Sequence, residues 1–117
     1  MGRLTTHVLD LSAGQPGCGI RVDLTRLDGE VRSAVTSAVT NADGRCDKPI
    51  LDGDAFRLGS YELAFHVGDY FAGRGLKSPE PKFLDVVVLR FGISSVDQHY
   101  HVPLLVSPYG YSTYRGS

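Results

Sequence analysis

Ile20-Arg21-Val22-Asp23-Leu24-Thr25 alternates apolar and polar side chains for six residues, the period of a strand with one face buried and one face wet. Asp28-Gly29 follows as a hairpin signal, and Val31–Thr40, rich in Val, Thr and Ser, is expected to pair back onto the first strand. The same rhythm recurs in both directions. Thr5–Leu11 is extended sequence that ends in the Ser12-Ala13-Gly14-Gln15-Pro16-Gly17 loop, and Tyr61–Val67 alternates cleanly. Leu84–Phe91 reads as an apolar strand. Tyr100–Val106 and Tyr109–Arg115 read as the last two, joined by Ser107-Pro108. Gly68–Gly75 departs from the period. Asp69 near its start suits the positive end of a helix and Gly75 can close one, so a short helix of about two turns is expected there. Ser78-Pro79-Glu80-Pro81 is a stiff connector. Short strands, regular turns and one brief helix define an all-β domain, and periodicity alone leaves sandwich and barrel both open.

The chain has 117 residues, enough for one domain, 1–117, with a core of its own; its hydrophobic fraction of 42% agrees. Charged residues make up 21%, both signs are interspersed, and the formal net charge is −1. No basic patch or run points to nucleic acid or to a membrane surface. The first residues lack an apolar signal-peptide core, no stretch is long enough to cross a bilayer, and Arg115-Gly116-Ser117 is not a peroxisomal tripeptide. A cytoplasmic location is therefore the expectation. Two cysteines, Cys18 and Cys46, are too few for a disulfide scaffold of this size and read as free thiols.

The polar residues within apolar patterns are the candidates for chemistry. Strand alternation places Thr5, His7 and Leu9 on one face, with Thr6, Val8 and Asp10 on the other. His99-Tyr100-His101 puts two imidazoles on one strand face, an arrangement that suits zinc, copper or iron. A metal site needs further ligands, and His7 is the only natural third, so a metal-binding β protein stays open on these residues alone. The bland alternative leaves His99 in solvent with His101 facing a cleft. Arg45, after the Asn41-Ala42-Asp43-Gly44 turn, is either solvated or a fixed planar fork for an anion or a polarised carbonyl. Ser107–Ser117 is dense in tyrosines and hydroxyls. There is no Gly-x-Ser-x-Gly elbow, phosphate loop or zinc-protease motif.

Three separated blocks carry a resemblance: Leu4-Thr5-Thr6-His7-Val8-Leu9-Asp10, Thr40-Asn41-Ala42-Asp43-Gly44-Arg45, and His99–Ser117 with its Tyr114-Arg115-Gly116-Ser117 ending. In this order they resemble the 5-hydroxyisourate hydrolases of the transthyretin-like family, along the chain from Leu4 to Ser117. Gly110 stands where a serine is common, and Cys46 and Lys48 lie where the central block varies. The resemblance implies a two-sheet β-sandwich of about eight strands with one short helix. It also implies a homotetramer with active sites at the dimer–dimer interface. The implied reaction, a step of urate degradation, is hydrolysis of 5-hydroxyisourate to 2-oxo-4-hydroxy-4-carboxy-5-ureidoimidazoline without a cofactor or metal. His7 and His101 would activate water and return a proton. Arg45 would orient the substrate and stabilise the oxyanion. Ser117 would bond substrate or water, and Tyr114 would close the wall. The alternative within the family is a transthyretin-type carrier of a small aromatic ligand, which lacks counterparts of His7, Arg45 and His101.

Overall fold

The computed structural model describes residues 1–116. Its strands are β1 (Leu4–Asp10), β2 (Gln15–Pro16), β3 (Arg21–Asp28), β4 (Val31–Val39), β5 (Gly59–Phe65), β6 (Val87–Ile93), β7 (Tyr100–Ser107) and β8 (Gly110–Thr113), with one helix, α1 (Val67–Gly73), between β5 and β6. They form two four-stranded sheets, ordered β2-β1-β7-β8 and β4-β3-β5-β6. Among the described residues no strand bonds to both sheets, so the choice between barrel and sandwich falls to the sandwich.

Alternation sets the core. In β1 the side chains of Leu4, Thr6, Val8 and Asp10 are buried while Thr5, His7 and Leu9 are only half-buried. Val22, Leu24, Leu63, Phe65, Val87 and Leu89 face them from the second sheet, with Leu104 and Val106 beside Leu4 and Val8 in the first. Each such side chain contributes roughly 1.5–3 kcal/mol on leaving water. β3 and β4 pair antiparallel around Gly29, whose φ of +63° favours glycine. α1 starts one residue before the expected Gly68 and stops at Gly73. Gly75, at φ +93°, turns the chain away, and its N–H reaches the Ala72 carbonyl at 3.0 Å.

Three expectations shift at their edges. The strand expected from Leu84 begins only at Val87, because the Asp85 carbonyl accepts the Gly68 N–H at 2.8 Å and ties that stretch to the start of α1. The last strand runs over Gly110–Thr113 rather than Tyr109–Arg115, because Arg115 turns off to stack on Tyr100. Gln15-Pro16, read as loop, pairs with Leu9 and Asp10. Asp10 is buried: Oδ1 accepts from Ser12 N–H, Ser12 Oγ and Ala13 N–H, and Oδ2 from the Tyr70 hydroxyl at 2.7 Å. This carboxylate ties β1 to α1, with both oxygens hydrogen-bonded. Cys18 and Cys46 are free thiols. No helix among the described residues is long and apolar enough to cross a membrane.

Candidate active site

The parallel pairing of β1 with β7 runs from Leu4–Tyr100 to Asp10–Val106 and sets Thr5 directly opposite His101. The Thr5 hydroxyl lies 2.8 Å from His101 Nδ1. Because Leu4, Thr6 and Val8 are held in the core, the register cannot slip by one residue without turning those side chains outward. Thr5, His7 and His101 are therefore committed to the outer face of this sheet.

Arg45 arrives on a tight loop. Asn41 Oδ1 accepts from the N–H groups of Asp43 (2.9 Å) and Arg45 (3.2 Å), and the Asn41 N–H donates to the Arg45 carbonyl at 2.7 Å. An Asn side chain that caps its own turn in this way explains the Thr-Asn-Ala-Asp-Gly-Arg spacing. Gly44 has φ +76°, and a Cβ there would collide with the Val8 carbonyl. Its own carbonyl accepts the Val8 N–H at 2.8 Å. The turn thus packs on β1 and places Arg45 in an isolated bridge with His7.

Arg3, Thr5, Thr6, Arg45, Cys46, Lys48, His99 and His101 line an open cleft of about 410 Å³. That volume accommodates a bicyclic small molecule. Three cationic side chains and no carboxylate among these residues favour an anionic or carbonyl-rich ligand. Both imidazoles beside Arg45 are held below the ordinary histidine range. For His101 the causes are burial, then the Arg45 cation, then His7. For His7 they are burial and Arg45, opposed by a backbone hydrogen-bonding interaction with Asp43 and by the Asp43 charge. Neutral imidazoles at neutral pH can take a proton, and the nearby guanidinium offers fixed donors to developing negative charge.

Of the residues singled out in the sequence, Arg45 and His101 meet in the cleft. His7 flanks it, close enough that charge on one imidazole disfavours charge on the other. Tyr114 lies elsewhere in its own chain, in an apolar groove with Leu89, Phe91, Tyr100 and Val102. Ser117 lies outside the described residues. His99 is exposed, yet it lines the cleft. Among the described residues no three His, Cys, Asp or Glu side chains form a group that could hold a metal ion, so His7, His99 and His101 do not make the three-ligand set considered above. Sequence reasoning missed Arg3, Thr5 and Lys48 as site residues. Alternation carried a usable signal for the first two, which share the strand face of His7. Lys48 had none, since only the folded loop brings it round to Arg45.

Comparison with known proteins identifies the family. Residues 4–116 match the model of the HIUase/Transthyretin family. A 5-hydroxyisourate hydrolase of Pseudomonas aeruginosa is 61% identical over 117 residues, which cover 100% of this chain and 93% of the relative. The solved structure of the Klebsiella pneumoniae 5-hydroxyisourate hydrolase superposes with a TM-score of 0.81 at 36% identity, covering 100% of each chain. An (S)-allantoin synthase structure superposes with a TM-score of 0.93 at 50% identity, over 99% of this chain and 44% of that one, so this chain spans less than half of that protein. With the family model matched over residues 4–116, the chain belongs to the HIUase/Transthyretin family.

Proposed function

We propose that this protein hydrolyses 5-hydroxyisourate, as the names of its 61% and 36% identical relatives state for those proteins. The observation that carries the reading is the convergence of Arg45 and His101 in one cleft, with His7 at its side and both imidazoles biased toward the neutral form. Cyclic amide hydrolysis needs a base for water, stabilisation of the oxyanion and a proton for the departing nitrogen. One imidazole of the His7–His101 pair removes a proton from water as its oxygen bonds to the ring carbonyl carbon. The carbonyl oxygen gathers negative charge, which the Arg45 guanidinium offsets. Collapse breaks the ring C–N bond, the proton returns to that nitrogen, and a carboxylate is left. Such a sequence needs no group beyond the protein and water.

The roles of Ser117 and Tyr114 remain part of the proposal: Ser117 bonds substrate or water, and Tyr114 closes the site. Tyr114 is exposed and away from the cleft within one chain, which fits a wall completed by assembly. We place the cleft at the dimer–dimer interface of a homotetramer. Half-buried histidines on an open sheet face, and exposed Val88 and Tyr111 on the edge strands β6 and β8 with exposed Val86 and Tyr114 next to them in the chain, support that assembly. A polar, cationic cleft fits a carrier of hydrophobic aromatics poorly. The test is spectrophotometric: urate is oxidised in the cuvette and decay of 5-hydroxyisourate is followed. Decay that accelerates in proportion to added protein supports the hydrolase; an unchanged rate with folded protein refutes it.

A further inference from the structure

Strand pairing fixes where the His101 Cβ sits, but it does not fix which way the ring faces. The terminal torsion of an imidazole is broad and roughly two-fold, and a half-turn exchanges Nδ1 with Cδ2 and Nε2 with Cε1. Only one of the two states presents Nε2 correctly to a reacting group, so something must choose between them.

Two contacts choose. On one edge the Thr5 hydroxyl meets Nδ1 at 2.8 Å, from a side chain whose β-branching restricts its own rotamer. On the other edge lies Gly116. Its N–H donates to the His101 carbonyl at 2.8 Å. A Cβ added to it would stand 2.5 Å from His101 Cδ2, 3.2 Å from Cγ and 3.3 Å from Cβ, so only glycine lets the chain lie flat against this ring. Arg115 fixes that approach. Its guanidinium sits 4.1 Å over the Tyr100 ring and donates to Gln98 Oε1 and the His99 carbonyl, both at 3.0 Å. A flipped ring would set carbon against the Thr5 hydroxyl and Nδ1 against the Gly116 backbone, losing the hydrogen bond. Among the described residues no hydrogen bond engages Nε2.

We propose that Thr5 and Gly116 are positioning residues that lock the His101 imidazole in one flip state, with Nδ1 spent on Thr5 and Nε2 offered to the cleft. Its catalytic consequence rests on the reading of His101 as a reacting group. The lock accounts for a threonine two residues before His7 and for a glycine in the Tyr-Arg-Gly-Ser ending, neither of which that reading requires.

The test uses the full-length protein with Thr5→Val, Thr5→Ser, Gly116→Ala and His101→Asn variants, each checked by thermal melting. Thr5→Val keeps the β-branched shape and removes only the hydroxyl. Nitrogen NMR of the His101 ring reports its hydrogen-bonding state independently of turnover. We expect Thr5→Val to move these ring signals and to lower kcat about tenfold, the lower end for losing a partner that orients a functional histidine, with KM little changed and an altered pH profile. Thr5→Ser should restore both, and Gly116→Ala should move the same signals. Ring signals and pH profile unchanged in Thr5→Val, beside an inactive His101→Asn, would overturn the lock and leave the hydrolase reading intact. Full turnover in His101→Asn would instead remove the catalytic role of His101, and the ring signals would still decide the lock.

Discussion

On the outer face of the second sheet, Asp23 of β3 accepts from the Ser37 hydroxyl of β4 at 2.6 Å, from Arg21 Nε at 2.9 Å, and pairs with His66 Nε2 at 2.8 Å. Led by the Ser37 hydrogen bond, these partners hold its carboxyl down to about 2, from an ordinary 3.8. A shift of nearly two units corresponds to roughly 2.5 kcal/mol by linkage. A quarter of the side chain is exposed, and solvent screening reduces the expected net contribution to about 1–1.5 kcal/mol. The sign follows from the direction of the shift. The native state binds this proton less readily than the unfolded chain, so the stabilisation is fully present above pH 3.8 and is lost as pH falls through about 2. Asp23→Asn should therefore destabilise by about 1–1.5 kcal/mol at pH 5, and the gap should narrow toward pH 2. Urea unfolding of both proteins across that range measures it. Asp23 lies on the sheet opposite the cleft, so turnover per folded molecule should not change. A gap that stays constant from pH 5 to pH 2 would refute the assignment of this stability to the ionised carboxylate.

Arg45→Gln removes a cation that disfavours charge on both histidines, so their pKa values should rise and the acid limb of kcat/KM should move to higher pH. Turnover should also fall by about 10²–10³, as for loss of an oxyanion donor; a pH–rate series on the variant reads both effects. Gly44→Ala forces a side chain into a φ of +76° and against the Val8 carbonyl. The left-handed conformation alone costs about 1–2 kcal/mol, so a lower melting temperature and reduced turnover are expected, read by calorimetry and the decay assay.

The sequence showed the β3–β4 hairpin, the helix after β5 and the face of β1 that carries His7, because each rests on a local period or turn residue. It could not show that β1 pairs parallel with β7, since nothing local joins residues 96 positions apart. From sequence, Thr5 is therefore legible as a face residue but not as the partner of His101. Asp10 alternated correctly into the interior, but its Tyr70 partner lies 60 residues on, so its satisfied burial was invisible. The start of β6 and the end of β8 are hidden for the same reason: tertiary contacts draw the chain out of the strand, at Asp85 to the start of α1 and at Arg115 to Tyr100. The cationic lining of the cleft is not legible in the sequence because only the fold brings Arg3, 42 residues earlier in the chain, to the loop that carries Arg45 and Lys48.

We propose that the histidine pair beside Arg45 performs the proton transfers of 5-hydroxyisourate hydrolysis. The most direct measurement is the decay rate of freshly generated 5-hydroxyisourate with the parent protein and with His7→Asn and His101→Asn, each confirmed folded. A loss of about 10²–10⁴-fold in turnover is expected for whichever histidine is the general base. Turnover close to the parent in both variants would contradict it.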